Sequence, residues 1–126
     1  MASEDSRSSL SGLELFRTAA DSTPALMWMS DDQGQIVFAN QRYLAFFGVE
    51  TDDMLGEGWR SIVHPEDVDA FHAAFLENFA RREPVTLEVR VLHPSEGVRW
   101  LSCQGAPHFS ADGTFVGYVG LDPDIT

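Results

Sequence analysis

Two of the four histidines of the chain lie in one short segment, HPEDVDAFHAAF, which spans residues 64–75. If this segment is helical, His72 shares one buried face with Val68, Phe75 and Phe79, because these residues are three or four positions apart. An imidazole on such a face could serve as an axial metal ligand, could recognise a small organic ligand, or could be a core group bonded to a backbone carbonyl. His72 is therefore the first candidate for chemistry.

Cys103 is the single cysteine of the chain, so an internal disulfide and a zinc site built from thiolates are both excluded. Paired with His72 or His108 it could form a reactive thiolate, but a lone cysteine in a strand is more often a small buried hydrophobe. The sequence contains no HExxH pattern, phosphate-binding loop or glycine-flanked nucleophile. These observations favour a domain that binds over one that catalyses.

Composition narrows the class of protein further. The chain has 126 residues, of which 44% are hydrophobic, and this is enough for one domain with a single core. Eight Lys and Arg against 20 Asp and Glu give a net charge of −12, which argues against nucleic acid and anionic membrane surfaces as partners. No apolar run reaches the roughly 18 residues that cross a bilayer, and the polar start lacks the features of a signal peptide. We expect a cytoplasmic protein.

The first half of the chain must form the elements that carry these residues. Residues 1–12 are polar and predict a flexible tail, residues 13–22 predict an amphipathic flanking helix that docks on the domain or on a partner, and the domain itself spans residues 23–126. ALMWMS and QIVFAN predict two strands of a hairpin around the turn DDQG. Asn40 can then cap a helix that ends at Gly48, and Thr51 or Asp52 can cap a second short helix.

The second half of the chain predicts a long helix followed by three strands. The helix runs from about Pro65 to Arg82, and its start is fixed by His64, Pro65 and Asp67. VTLEVRV then alternates apolar and polar residues with period two, as a half-buried antiparallel strand does. VRWLSCQGAPHF and TFVGYVGLD follow as two further strands, separated by the turn SADG. His93 and His108 flank turns and are expected to be exposed to solvent.

The order of these elements and five of their signatures resemble a PAS domain, a small sensory module of signalling proteins. The signatures are DDQGQIVFAN, LGEGWRSIVHPEDV, the RW of VRWLSCQG, ADGTFVGYVG and the closing DIT. The resemblance covers about residues 20–126 and implies an α+β fold, in which helices pack over one face of a five-stranded antiparallel sheet of order 2-1-5-4-3. Pro123 departs from the family pattern before DIT, and an end at Thr126 suggests a sensor module of a larger protein.

A PAS domain of this kind commonly encloses a pocket between the helices and the sheet. The inward pattern of apolar residues, with a few polar points, gives the following candidates for its lining: Trp28, Phe38, Asn40, Leu44, Phe47, Ile62, His72, Phe75, Val89, Leu101, Cys103 and Val119. For each of them an ordinary place in the core is the alternative. The nine Phe residues of the chain could also fill the pocket completely.

The resemblance also raises two cofactors. Haem-binding PAS domains take their iron ligand from the long helix, where this chain has His72, but haem needs a large cavity and cations for its propionates. Light-sensing PAS domains carry a reactive Cys, and the corresponding region LGEGWRSIVHP has none, which excludes a covalent flavin switch there. A non-covalent flavin stacked on Trp28 or Trp59 stays open, as do a small organic ligand and a satisfied core histidine.

The outer face of the sheet is the expected surface for partners. Val98 and Trp100 lie on the strand face opposite Leu101 and Cys103, and an apolar outer patch would suit a homodimer formed through the sheet face and the N-terminal helix. The resemblance implies that a covalently linked output domain, for which a histidine kinase is the first choice, receives the signal through Asp124, Ile125 and Thr126. The alternative is a ligand-free spacer that only dimerises.

Overall fold

A flanking helix, two strands, four helical segments and three more strands follow one another along the chain in the computed structural model, which describes residues 15–126. The predicted tail, residues 1–12, and the first two residues of the predicted flanking helix lie outside the described residues. The elements are α1 (residues 15–22), β1 (Met27–Ser30), β2 (Ile36–Ala39), α2 (Gln41–Phe47), α3 (Thr51–Met54), a 3-10 turn (Gly58–Ser61), α4 (Val68–Ala80), β3 (Val85–His93), β4 (Gly97–Phe109) and β5 (Phe115–Leu121).

The five strands form one antiparallel sheet in the order β2-β1-β5-β4-β3, which confirms the predicted architecture. The last strand, β5, lies in the centre of the sheet. Its Gly120 pairs with Trp28 of β1 on one side and with Gly105 of β4 on the other. A Cβ atom at Gly120 would come within 2.2 Å of the Trp28 ring. Glycine is therefore required there because the indole lies directly on the strand backbone.

Asn40 caps α2 as predicted and also ties that helix to the preceding segment. Its Oδ1 accepts hydrogen bonds from the backbone N–H groups of Tyr43 and Met27, and its Nδ2 donates to the carbonyls of Ala20 and Ala25. All four bonds are local to the joint between α1, β1 and α2, and the side chain is fully buried. This amide is consequently a structural group, held by four backbone partners.

The flanking helix α1 docks on the domain itself. The Phe16 ring lies 5.4 Å from the Phe38 ring of β2, and Ala20 is buried. Asp21 accepts a hydrogen bond from the backbone N–H of Gln41, the first residue of α2. The helix thus covers the outer side of β2 through one aromatic contact.

Two predicted helix starts are wrong in detail. The short helix α3 begins after Glu50, whose backbone N–H donates to the Asp53 carboxylate, so the N-cap is neither Thr51 nor Asp52. The long helix α4 begins at Val68 rather than Pro65 and ends at Ala80 rather than Arg82. The final turn cannot continue because Arg82 has a left-handed backbone with φ of 55°.

The HPED segment before α4 forms a turn that is fastened to β3. The His64 Nδ1 accepts from the backbone N–H of Glu66, so His64 does help to shape the entry into the helix. The Asp67 carboxylate makes no bond to the helix backbone and instead accepts from the backbone N–H and from the guanidinium of Arg90 at 2.6–3.1 Å. These charge-assisted bonds hold the pKa of Asp67 below its usual value.

His93 and His108 differ from each other in exposure. His108 is exposed as predicted, but His93 is not, since its ring packs edge-on at 4.8 Å against Phe46. The His93 Nδ1 also accepts from the backbone N–H groups of Ser95 and Glu96. The predicted exposure of His93 is wrong because the turn between β3 and β4 folds back against the end of α2.

The inner face of the sheet carries the core. On β3 the predicted alternation is present, with Val85, Val89 and Val91 buried. At one end of this face Phe79, Phe115 and Tyr118, with Phe75 at the border, form an aromatic cluster in which neighbouring rings are 5.2–6.0 Å apart. Among the described residues, no helix has the length and apolar character needed to span a membrane.

Candidate ligand cavity

A cavity of about 80 Å³ lies between α4, the 3-10 turn and the inner face of the sheet, beside the aromatic cluster. Its volume is several times the roughly 10–15 Å³ that one water molecule requires. Aromatic and aliphatic side chains make up most of its wall, and polar groups lie at the inner end and at the mouth. The lining residues are Trp28, Gln33, Gly34, Gln35, Ile36, Tyr43, Glu57, Trp59, Ile62, Val63, Phe71, His72, Phe75, Leu76, Val89, Val91, Leu101, Cys103 and Asp122.

A buried carboxyl group lies at the inner end of the cavity. Asp122 is only 6% exposed, and its Oδ1 accepts a hydrogen bond of 2.8 Å from the Trp28 indole N–H. Cys103 lies beside this carboxyl group in the cavity wall, and the backbone N–H of Asp122 donates to the carbonyl of Leu26. Three elements, β1, β4 and the chain just after β5, therefore meet at one acid.

Burial changes the ionisation of this inner group. Desolvation raises the pKa of Asp122 to about 7, although the hydrogen bond from Trp28 and the neighbouring Cys103 thiol favour the charged form. Burial, together with the neighbouring Asp122, also raises the pKa of the Tyr43 hydroxyl and of the Cys103 thiol well above their ordinary values. Cys103 is therefore a protonated, unreactive thiol, which agrees with the non-catalytic interpretation of this residue.

His72 lies nearer the mouth and is only half-buried. Its Nδ1 is 2.9 Å from a guanidinium nitrogen of Arg60, and its ring lies 5.3 Å from the Trp59 ring. Arg60 also pairs with Glu57 at 2.6 Å. Because a guanidinium can only donate, Nδ1 must accept, and the neutral imidazole carries its proton on Nε2.

This geometry does not fit a haem. An iron ligand offers the lone pair of one ring nitrogen and donates through the other nitrogen to an acceptor, whereas His72 has a donor at Nδ1 and a proton at Nε2. Haem also needs cations for its propionates, and the guanidinium of Arg90 on β3 is already paired with Asp67. The cavity is also much smaller than the roughly 300–1,000 Å³ pockets that hold large ligands. The cavity is likewise too small for the ring system of a flavin, although both Trp28 and Trp59 line its wall.

The structure brings seven of the twelve predicted pocket residues to the cavity, namely Trp28, Ile62, His72, Phe75, Val89, Leu101 and Cys103. The other five line no part of it. Phe38 of β2 and Val119 of β5 lie on the outer face. Both pair with Met29 of β1, which lies between them in the sheet. A register shift in the hairpin at Met29 and Ser30 decides the orientation of β2, and the sequence pattern does not reveal this shift.

The remaining three predicted pocket residues belong to α2 and its cap. Asn40 is used completely by its backbone partners, as described above. Leu44 and Phe47 are buried in the core but do not belong to the cavity lining. Tyr43 is the residue of this helix that reaches the cavity.

Several lining residues were missing from the prediction, and Asp122 is the most informative. Along β5 the inward positions alternate through Tyr118 and Gly120, both of which are buried, and Asp122 is the next position in this series. The period-two pattern thus contained the signal. Asp122 also ends the predicted strand TFVGYVGLD, so its inward position follows from that strand's alternation.

The chain after Asp122 continues along β4. The backbone N–H of Ser102 donates to the carbonyl of Pro123, and Asp124 forms a bridge with Leu101. The Asp124 carboxylate accepts from the Arg99 guanidinium at 2.6 Å. The predicted output residues, Asp124, Ile125 and Thr126, therefore start two positions from the buried acid and are fastened to β4.

The outer face of the sheet exposes several large apolar side chains. Trp100 and Val98 on β4, Leu121 on β5 and Ile125 after it are each 41–46% exposed. The outer end near β2 is covered by α1, as described above. The outer surface thus has one covered end and one open apolar end.

Comparisons with known proteins agree with this architecture. The family model described as "PAS fold" matches residues 36–121. Uncharacterized protein y4lL of Sinorhizobium fredii (strain NBRC 101917 / NGR234) is 36% identical over 111 residues, which are 88% of this chain and 13% of that protein. The chain thus spans only a small part of the length of this relative.

Solved structures with low sequence identity share the fold. The PAS domain of a protein from Colwellia psychrerythraea has a TM-score of 0.73 at 22% identity, and the match covers 90% of this chain and 97% of that one. The N-terminal domain of a diguanylate cyclase with PAS/PAC sensor from Marinobacter aquaeolei has a TM-score of 0.69 at 18% identity, over 80% of this chain and 94% of that one. At these identities the likeness concerns the fold alone.

Proposed function

The chain belongs to the PAS fold family, and we propose that it is a sensory domain that binds a small molecule in the cavity under α4 and relays its occupancy to an attached output domain. The observation that carries this proposal is the buried polar group at the inner end of an otherwise apolar cavity. Apolar walls with a few convergent polar groups are typical of small-molecule sites. A cavity that existed only because of imperfect packing would have no reason to keep an acid out of water.

The proposed route of the signal starts at the same acid. Asp122 is in the cavity wall, and Asp124, two residues later, is paired with Arg99 on β4. A ligand that changes the bonds of Asp122 would change the balance between alternative positions of the segment that follows. We infer that Asp124, Ile125 and Thr126 transmit this change to the next domain.

The output domain is proposed to be an enzyme of signal transduction, with a histidine kinase as the first choice, in a cytoplasmic multidomain protein. Two facts support a multidomain parent. The chain corresponds to a small share of its curated relative, and the Marinobacter neighbour is the N-terminal domain of a diguanylate cyclase. The net charge of −12 disfavours nucleic acid as a partner.

A homodimer is the proposed assembly, formed through the open end of the outer sheet face together with α1. The half-exposed side chains of Val98, Trp100 and Leu121 supply an apolar patch of the kind that is used in association. The same surface favours the second candidate function, a ligand-free spacer that only dimerises. The two candidates differ in what the cavity holds.

Native mass spectrometry of the whole chain, combined with a thermal-shift screen of small molecules, tests the proposed function. We expect a bound species, or a compound that raises the melting temperature. V89M, which places a longer side chain in the cavity wall, should weaken that binding, while V37M at an exposed position of β2 should leave it unchanged. No bound species and no stabilising compound would support the spacer instead.

Sedimentation velocity tests the proposed dimer. We expect W100S to dissociate at concentrations where the wild-type chain is dimeric, and V37S, which alters an exposed side chain outside the patch, to behave like the wild type. A wild-type chain that is monomeric at every concentration would contradict the proposed assembly.

A further inference from the structure

We propose that the cavity selects small organic cations, and that Asp122 is the anion that receives their ammonium group. This inference rests on the proposed small-molecule function and specifies its ligand class. It follows from the charges of the lining, the bonding of the inner acid and the nature of the walls.

The charges of the lining are predominantly acidic. Two carboxyl groups, Asp122 at the inner end and Glu57 at the mouth, belong to it, and no Lys or Arg among the described residues 15–126 does. Arg60 lies nearby, but its guanidinium is held by Glu57 and His72 at 2.6 and 2.9 Å. An anionic ligand would therefore meet an acid at the inner end with no guanidinium or ammonium group beside it, and a cationic one would meet its counter-charge.

The bonding of Asp122 leaves room for a ligand. A carboxylate has about four acceptor positions on its two oxygens, and the structure uses one of them for the Trp28 indole. This donor orients the group and supports its charged form. An ammonium group, which has three donors, can use the acceptor positions that remain.

The walls also suit a cation with an apolar body. Five aromatic side chains surround the space: Trp28, Tyr43, Trp59, Phe71 and Phe75. Aromatic faces attract ammonium groups, and this attraction increases when water is excluded. The cavity of about 80 Å³ restricts the body to a few heavy atoms.

Binding of such a cation should be linked to a proton. Desolvation raises the pKa of Asp122 to about 7, so the acid is neutral in much of the population just below neutral pH. The groups that face it are Cys103 from β4 and Tyr43 from α2, which stay neutral because burial raises the pKa of each well above its ordinary value. The cation binds the charged form of Asp122, so the affinity for the cation should rise with pH.

The test uses three probes of nearly equal shape: isobutylamine, isobutanol and isobutyrate, titrated into the whole chain by NMR at pH 8. We expect isobutylamine to bind at least tenfold more tightly than isobutanol, as for a charge-assisted hydrogen bond, and isobutyrate to bind most weakly. D122N keeps an acceptor for Trp28, and it should lose the preference for the amine without losing the binding of the alcohol.

A second measurement covers the case in which D122N does not fold. For the wild-type chain, the affinity for isobutylamine should rise about tenfold from pH 6 to pH 8, while that for isobutanol should not. The imidazole of His72 and the carboxylate of Glu57 are the other ionisable groups at the mouth. D122N retains both of them, so any pH dependence that it still shows belongs to them and not to Asp122.

The results that overturn this inference are distinct from those that overturn the proposed function. Equal binding of the amine and the alcohol, tighter binding of isobutyrate, or an amine preference that persists in D122N would each reject the cation class, while small-molecule binding itself would stand. If none of the three probes binds, the cation class is also rejected. The native mass spectrum then decides separately whether the cavity holds a ligand at all.

Discussion

The two halves of the inner sheet face are covered by the same helix but packed in opposite ways. Under the last turns of α4, Phe79 stacks on Tyr118 with ring centroids 5.2 Å apart, and Phe115 closes the third side at 5.4 Å. Under the first turns of α4, Phe71 and His72 face a cavity of about 80 Å³. The aromatic cluster is filled by large rings from both layers, whereas the cavity has large rings on the helix and shorter side chains on β3 and β4.

This difference shows that the number of aromatic residues does not decide whether a domain has a pocket. The chain has nine Phe residues, enough to fill the space, but several are used elsewhere. Phe16 and Phe38 pack on the outer face, and Phe46 packs on His93. Opposite the start of α4 the strands contribute Val89, Leu101 and Cys103, which are too short to reach across.

The largest expected difference between the two halves concerns the loss of a ring. F79A removes a buried ring from the aromatic cluster and should lower the free energy of unfolding by about 3–5 kcal/mol. F71A removes a half-buried ring beside the cavity and should cost about 1–2 kcal/mol. Urea denaturation of both variants measures this difference, and equal costs would show that the cavity half is as tightly packed as the cluster.

The second difference concerns pH. Burial raises the pKa of Asp122 to about 7, above the roughly 3.9 of an unfolded chain, so the folded protein holds this proton more strongly. The stability that comes from the neutral acid is complete below about pH 4, is lost as pH rises towards 7 and changes little above it. Between pH 5.5 and 8 the free energy of unfolding should fall by roughly 2 kcal/mol for this reason.

Urea titrations at several pH values check this expectation, with D122N as the control. That variant should show no such fall, because its amide does not ionise. Carboxylates with a lowered pKa, such as Asp67 and Asp112, act in the opposite direction but at more acidic pH, outside this window. A wild-type chain whose stability is flat from pH 5.5 to 8 would mean that the acid is ionised throughout.

The smallest expected difference concerns added volume. Val85 and Val89 lie on the same face of β3 and are 2% and 4% exposed, but only Val89 borders the cavity. V85I should cost about 1–3 kcal/mol through overpacking, whereas the new methyl group of V89I can enter the cavity and should cost almost nothing. The melting temperatures of the two variants measure this difference in stability. An equal decrease in both would contradict an open space beside Val89.

Much of the fold was predictable because it depends on local pattern. The hairpin, the Asn40 cap, the Gly48 stop and the alternation of β3 all follow from short-range rules of backbone geometry and side-chain period. The strand order came from the resemblance to PAS domains. Helix limits were less accurate, as at Val68, because the start of α4 depends on where Asp67 finds its partner, which is a residue 23 positions away.

The candidate site was only partly predictable. Residues whose period points inward on long elements, such as Val89 and Leu101, do line the cavity. Phe38 does not, because a register shift in the hairpin turns it outward. His72 reaches the mouth, but its role depends on Arg60, a neighbour from the 3-10 turn that no pattern on α4 reveals.

The sequence by itself determined the class of domain, its element order and the sign of its charge, because these depend on composition and on residues close together along the chain. Only the tertiary structure decided that the aromatic rings leave a gap over β3 and β4, and that an acid from the end of β5 is buried there. Asp122 meets Trp28 across 94 positions of sequence. Its desolvation, and therefore its ionisation, comes from the packing of three separate strands around it.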